Sequence, residues 1–212
     1  MKNETRCIHR HTADTHPSCF QKGLLKRQDW WYDKKIAYLD IETSNLDADW
    51  GFMLTWAIKY RGNPKVVTDS INKHDINDLL FDRRITESLV KELRNVDIAV
   101  TYYGTKFDVK FIRSRAMYYG LDFPEFGSMY HWDLYYKSKY ELKLARYSLG
   151  KVTQFLGIQG KTPLDPEVLW RARYGDPKAL IKILEHNIKD VEITEKLHEK
   201  LWRHCQWIRK SI

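Results

Sequence analysis

Residues 36–46 read Ile-Ala-Tyr-Leu-Asp-Ile-Glu-Thr-Ser-Asn-Leu, and this stretch joins a short apolar run to two carboxylates one residue apart. Alternate side chains of a β-strand share a face, so we expect Asp40 and Glu42 to point the same way. Two like charges side by side are unfavourable unless a positive group lies between them, which makes a bound divalent cation one explanation. The alternative is a strand end that carries two solvated acids.

Two further acids lie where they would complete a carboxylate site. Asp108 follows Phe107 where a predicted strand over residues 97–103 gives way to a predicted helix over residues 106–119. Asp190 lies inside a long predicted helix, and His186 precedes it by one helical turn on the same face. Carboxylate oxygens are the ligands that hard divalent ions prefer.

The order Asp-x-Glu, then Phe-Asp, then His-x-x-x-Asp resembles the three motifs of the DEDD (DnaQ-like) 3′-5′ exonuclease superfamily. The resemblance runs from about residue 36 to residue 201 and is closest to the exonuclease domain of family-B DNA polymerases. The segments 131–135 and 147–157 also look like that family's connecting region. The resemblance implies an α/β, RNase H-like fold, in which helices flank a mixed five-stranded sheet with the first strand at its centre.

The local patterns agree with that order of elements. Strands predicted over residues 52–60 and 65–69 follow the first strand after short turns, which predicts an antiparallel meander. Thr86 is a predicted N-cap of the next helix. Asp176 and Pro177 form a strong start for the final helix, whose apolar spacing continues to Cys205.

The resemblance also implies roles for the acids and for the histidine. Asp40 would bridge two Mg2+ or Mn2+ ions, Glu42 and Asp190 would help to hold the ion that activates water, and Asp108 would support the other ion. His186 departs from both family subtypes, which place either His five residues or Tyr four residues before the last Asp. Its role stays open between orienting the water, acting as a general base and being a helix-surface histidine.

Four positions match family residues that contact substrate, and they are Thr43, Leu46, Phe107 and Lys161. Leu46 would wedge against the terminal base, and packing within the turn is the alternative. Tyr103 stands where the family's second motif often has Asn, so we expect substrate positioning to differ from that of the polymerase domains. Asp133 is expected to cap or buttress rather than to bind metal, since four acids are already assigned.

The first 35 residues form a Cys- and His-rich segment followed by a basic linker, and residues 36–212 form the predicted nuclease domain. Thiolates and imidazoles at these spacings suit one structural Zn2+ ion, with Cys7, His16 and Cys19 as ligands and either His9 or His11 as the fourth. The alternative is a tail in which these residues cluster by chance.

The formal net charge of +8 is concentrated at the two ends of the chain. Residues 1–35 carry eight Lys and Arg against four acids, and residues 196–212 carry five against one. Basic ends suit a polyanionic partner such as nucleic acid. The alternative is a solvated basic surface without a binding role. No apolar run is long enough to cross a bilayer and no signal peptide is recognisable, so we expect no membrane partner and a cytoplasmic, intracellular protein.

These observations favour a two-metal-dependent 3′-5′ exonuclease that acts on single-stranded DNA in replication proofreading, repair or end processing. A separate polymerase or repair protein is the expected protein partner. The alternatives are a 3′-5′ exoribonuclease, since the same site hydrolyses either backbone, and a non-catalytic nucleic-acid-binding module. Clustered negative charge argues against the binding module, because it would repel a phosphate.

Overall fold

The computed structural model describes residues 11, 12, 14, 15, 17, 18, 30, 31, 33–160, 163–205, 207 and 210–212. By its internal contacts the chain divides into two compact units, residues 1–34 and residues 35–212. In the first unit, the backbone N–H of Thr12 donates to Oγ1 of Thr15 at 3.0 Å. The second unit contains the sheet and the four acids of the predicted site.

One mixed sheet organises the second unit, and its strands are β1 (Ile36–Thr43), β2 (Met53–Tyr60), β3 (Val66–Ser70), β4 (Ile98–Thr101) and β5 (Tyr130–Asp133). Their spatial order is β3-β2-β1-β4-β5. The β1–β2 and β2–β3 pairs are antiparallel, whereas the β1–β4 and β4–β5 pairs are parallel. The predicted meander, the mixed five-stranded sheet and the central position of the first strand are therefore confirmed.

Helices in the described part of this unit are α1 (Lys73–Asn77), α2 (Arg83–Leu93), α3 (Asp108–Tyr118), α4 (Leu134–Glu141), α5 (Leu149–Phe155), α6 (Pro166–Ala172) and α7 (Pro177–Leu201). Among the residues that the structure describes, no helix combines the length and the hydropathy needed to cross a bilayer.

Two of the predicted helix boundaries are wrong and one is confirmed. Helix α2 begins at Arg83, and Thr86 is buried inside it, because the chain already turns helical after Asp82. Helix α7 ends at Leu201, and Cys205 stays buried through the following turn rather than through further helix. The predicted start of α7 is confirmed, since the side chain of Asp176 accepts hydrogen bonds from the N–H groups of the first turn.

Helices cover both faces of the sheet, as two neighbouring residues of β2 demonstrate. Thr55 donates its hydroxyl hydrogen bond to Asn187 of α7 at 3.2 Å. The indole N–H of Trp56, on the opposite face, donates to the carbonyl of Ile85 in α2 at 3.0 Å. Helix α7 packs along both β1 and β2, so its side chains meet the face of β1 that carries Tyr38, Asp40 and Glu42.

A buried ion pair fixes the loop between β1 and β2. Asp82 is fully buried, and its Oδ1 lies 2.6 Å from Nη2 of Arg115 in α3. The same carboxylate accepts the backbone N–H of Met53 at 2.8 Å, while Nη1 of Arg115 donates to the carbonyl of Ala48 at 3.1 Å. The end of the loop and the start of β2 are thus tied to α2 and α3.

Candidate active site

The sheet opens between β1 and β4 at one edge. Strand β1 pairs with β4 only from Ile36 to Tyr38, although it pairs with β2 as far as Thr43. Beyond that point the N–H of Ile41 donates to Oδ1 of Asp108 at 3.2 Å. A side-chain carboxylate thereby replaces the carbonyl of a neighbouring strand. Openings of this kind at the carboxyl ends of parallel strands are where open α/β sheets bind ligands.

The loop from β4 to α3 carries Asp108 to this opening. A Cβ atom on Gly104 would lie 2.2 Å from Oγ1 of Thr101, so only glycine lets the backbone pass so close to the strand. Both oxygens of Asp133 hold the loop, since they accept the N–H groups of Tyr103 and Thr105 at 2.9 Å. The predicted capping role of Asp133 is confirmed by its third bond, from the N–H of Tyr135 in α4.

Helix α7 contributes the histidine and the last acid. Nε2 of His186 lies 3.6 Å from Oε1 of Glu42 and 3.7 Å from Oδ2 of Asp190. One ligand atom from each of these three residues lies within 4.8 Å of the other two. The side chain of His186 is only 8% exposed, so the interpretation of it as a helix-surface histidine is wrong.

An asparagine that the motifs did not reveal orients the first acid. Asn187 is fully buried, and its Nδ2 donates to Oδ2 of Asp40 at 2.6 Å. Its Oδ1 accepts the hydroxyl hydrogen bond of Thr55, which fixes the direction of the amide. The only sequence signal was its place three residues before Asp190, on the same face of α7.

The electrostatics of the edge suit a cation. The pKa of Asp108 is raised to about 7, mainly by burial and also by the negative charges of Asp133 and Asp190, although the N–H groups of Asp108 itself and of Ile41 oppose the rise. Bringing a cation among these oxygens would offset both the repulsion and the desolvation. Carboxylate oxygens with a single imidazole fit Mg2+ or Mn2+.

The predicted substrate-contacting residues lie in different surroundings. Thr43 is buried, and its hydroxyl donates to the carbonyl of Asn45 within the turn at 2.7 Å. Leu46 is 77% exposed, which does not fit the alternative of packing within the turn. Phe107 is half-buried against the core, and Lys161 lies outside the described residues.

The predicted zinc ligands lie almost entirely outside the described residues. This holds for Cys7, His9, His16 and Cys19, whereas His11 is described and half-buried. The zinc site therefore stays a prediction.

A family model described as the RNase_H superfamily matches residues 37–202, which is most of the chain. The chain therefore belongs to the RNase H superfamily, and the fold that the three motifs implied is confirmed.

Two proteins that are similar to this chain are DNA polymerases. A DNA polymerase of Methanocaldococcus jannaschii is 28% identical over 155 residues, which cover 63% of this chain and 9% of that protein. The structure of the family B DNA polymerase from the hyperthermophilic archaeon Pyrobaculum calidifontis matches with a TM-score of 0.63 and 19% identity, covering 80% of this chain and 24% of that one. At 19% identity, this structural similarity shows a shared fold and nothing more. The chain spans less than a quarter of the length of either polymerase.

Proposed function

We propose that this protein is a divalent-metal-dependent 3′-5′ exonuclease that hydrolyses the terminal phosphodiester bonds of single-stranded DNA. The observation that carries the proposal is the cluster of Glu42, His186 and Asp190, in which one ligand atom of each residue lies within 4.8 Å of the other two. Asp40 is on the same strand as Glu42, and Asp108 accepts the N–H of Ile41 between them. Membership of the RNase H superfamily supports a nuclease, and the DNA polymerase relatives support DNA as the substrate. Replication proofreading, repair and end processing are the settings that such an activity fits, alongside a separate polymerase or repair protein.

The carboxylates are the groups that would hold the metal. Two Mg2+ or Mn2+ ions at this edge would lower the pKa of a water molecule and stabilise the leaving alkoxide. Asn187 keeps Asp40 in one orientation through its 2.6 Å hydrogen bond, and the N–H of Ile41 does the same for Asp108. Such hydrogen bonds to ligating carboxylates maintain the geometry that a metal site needs.

His186 is the candidate proton acceptor. Its Nε2 lies between Glu42 and Asp190, at 3.6 and 3.7 Å from their oxygens. An imidazole in this position takes the proton of the attacking water, because the two carboxylates stabilise the imidazolium that forms. Its burial keeps competing solvent away from the ring.

The test is a time course of the full chain on 5′-labelled single-stranded DNA and RNA of the same sequence, with Mg2+ or Mn2+. We expect a ladder of DNA products that shorten from the 3′ end. Asp40→Asn should abolish it while preserving side-chain size. Asp49→Asn is the matched control, because Asp49 is an exposed acid in the loop after β1, and it should cleave like the wild type.

Other outcomes would redirect the proposal. Faster shortening of RNA would make the protein a 3′-5′ exoribonuclease. Internal cuts without a ladder would overturn exonuclease action, and binding without cleavage under every metal condition would point to a nucleic-acid-binding module. Equal activity of Asp40→Asn and wild type would remove the assigned site.

The N-terminal segment is proposed to hold one structural Zn2+ ion. Its support is the spacing of Cys7, His16 and Cys19 with His9 or His11. Elemental analysis of the purified full chain should find about one zinc per chain, and Cys7→Ser or Cys19→Ser should lose it. Zinc-free protein of equal stability would exclude the site.

A further inference from the structure

The loop between β4 and α3 holds a tyrosine in an unfavourable backbone conformation. Tyr103 has φ of 70°, in the left-handed region, yet its side chain is 44% exposed. Asparagine or glycine adopts this conformation at lower free-energy cost than tyrosine. Strain of this kind persists where the surroundings enforce it and is concentrated at functional sites. The large side chain is therefore not explained by the needs of the turn.

One buried carboxylate holds this tyrosine and a second one together. Asp133 accepts the N–H of Tyr103 at 2.9 Å and the N–H of Tyr135 at 3.0 Å. The two rings consequently meet edge to face, with their centroids 4.8 Å apart. Because the same carboxylate holds the backbone of both residues, the two rings lie beside each other on one surface.

A third ring extends this surface into solvent. Tyr136 is 39% exposed, and its ring centroid lies 5.1 Å from that of Tyr135. We call Tyr103, Tyr135 and Tyr136 the tyrosine patch. Exposed lysines accompany it: Lys106 lies on the same loop as Tyr103, and Nζ of Lys139 lies 6.0 Å from the ring of Tyr135. Aromatic faces beside positive charges are the combination that binds unpaired nucleic-acid strands, through base stacking and phosphate contacts.

The topology places the tyrosine patch at the edge that holds the carboxylates. Strands β4 and β5 run parallel and pair as far as Thr101 and Asp133, so the segments that follow them leave at the same edge as the end of β1. Tyr103 begins the loop that ends at Asp108. We propose that the tyrosine patch stacks on bases of the unpaired strand whose 3′-terminal phosphodiester lies at the carboxylates. The inference rests on the proposed nuclease function and names the residues that would hold the unpaired strand.

The direct test is binding by the full chain carrying Asp40→Asn, which separates binding from cleavage. The probe is a single-stranded oligodeoxynucleotide with 2-aminopurine near its 3′ end, whose fluorescence falls when the base stacks. Tyr103→Ala should weaken binding about 10-fold and reduce the quenching, because one stacking contact is lost. Tyr103→Phe should retain the wild-type affinity and the quenching, because it keeps the aromatic ring. Tyr174→Ala, at an exposed tyrosine between α6 and α7, is the control and should bind normally.

A second measurement separates a binding role from a structural one. Tyr103→Asn should keep or raise the urea midpoint of unfolding, since asparagine tolerates the left-handed backbone. Its affinity for the probe should nevertheless be as low as that of Tyr103→Ala, because the ring is lost. A lowered midpoint together with normal binding would make the tyrosine structural and overturn the inference.

Activity distinguishes this inference from the function on which it rests. In the cleaving enzyme, Tyr103→Ala should raise KM with little change in kcat. If the wild type cleaves, but Tyr103→Ala and Tyr136→Ala leave the affinity for the probe and its quenching unchanged, the stacking surface is refuted and the exonuclease is not. A wild type that binds through Tyr103 but never cleaves would refute the exonuclease and leave the surface. Equal affinity for duplex and single strand would overturn the assigned substrate class.

Discussion

Removing the negative charge of Asp108 should stabilise the metal-free protein and at the same time abolish its proposed activity. The carboxyl group is buried at the opening between β1 and β4, and its pKa is raised to about 7. In Asp108→Asn the amide oxygen still accepts the N–H of Ile41, so the main change is the loss of a buried charge. The stability difference between the two proteins should then depend on pH.

The magnitude follows from the pKa of this one group. Burial raises it from 3.8 to about 7, and each pH unit of such a shift corresponds to about 1.4 kcal/mol. Between these two values the folded protein keeps the proton and the unfolded chain has lost it, so the free energy of unfolding falls as pH rises through this window. Wild type therefore carries a penalty close to zero near pH 4 and of about 4 kcal/mol at pH 8, which the variant lacks.

Urea unfolding in EDTA at several pH values measures this difference. The gap between Asp108→Asn and wild type should grow from acid to alkaline pH, while Asp49→Asn should follow wild type throughout. Adding Mg2+ should stabilise wild type more than the variant and narrow the gap, because the ion binds only the folded site. A gap that is the same at every pH, or a variant less stable at pH 8, would refute the reasoning.

Asp82→Asn should lower the free energy of unfolding by about 3–5 kcal/mol, because Arg115 is left as a buried charge without its partner; a loss below about 1 kcal/mol in urea titrations would contradict this. His186→Gln should slow cleavage about 100-fold or more with an unchanged urea midpoint, and an unaltered rate and pH profile would exclude a general base. Burial lowers the pKa of His198 to about 3, so wild type loses stability as pH falls below about 6.5. In thermal melts, the stability of His198→Gln should fall less steeply with decreasing pH than that of the wild type. An equal pH dependence in the two proteins would argue against this role of His198.

The strands and the acids could be predicted because their signals are local. The apolar run before Asp40 predicts a strand, and the single residue between Asp40 and Glu42 predicts that both acids lie on one face of it. The cap and proline at Asp176 and Pro177 likewise fix the start of α7. The order of the motifs along the chain then placed Asp108 and Asp190 on the elements that meet β1.

What could not be predicted depends on distant contacts. Helix α4 (Leu134–Glu141) is rich in Tyr and Lys and lacks an apolar period, so apart from the cap at Asp133 only its packing against α7 and β4 explains it. Asn187 acts across 147 residues of sequence to orient Asp40, and an amide inside a helix carries no local signal for such a bond. The strain at Tyr103 is likewise visible only in the backbone.

The hydrogen bond between Ile41 and Asp108 turns one backbone amide into a spectroscopic reporter. The N–H of Ile41 belongs to the central strand, but its acceptor is a carboxylate oxygen at the candidate metal site rather than a carbonyl. The chemical shift of that amide proton depends on the charge of its acceptor. A single resonance in an NMR spectrum would therefore record protonation and cation binding at the site directly, without substrate and without turnover.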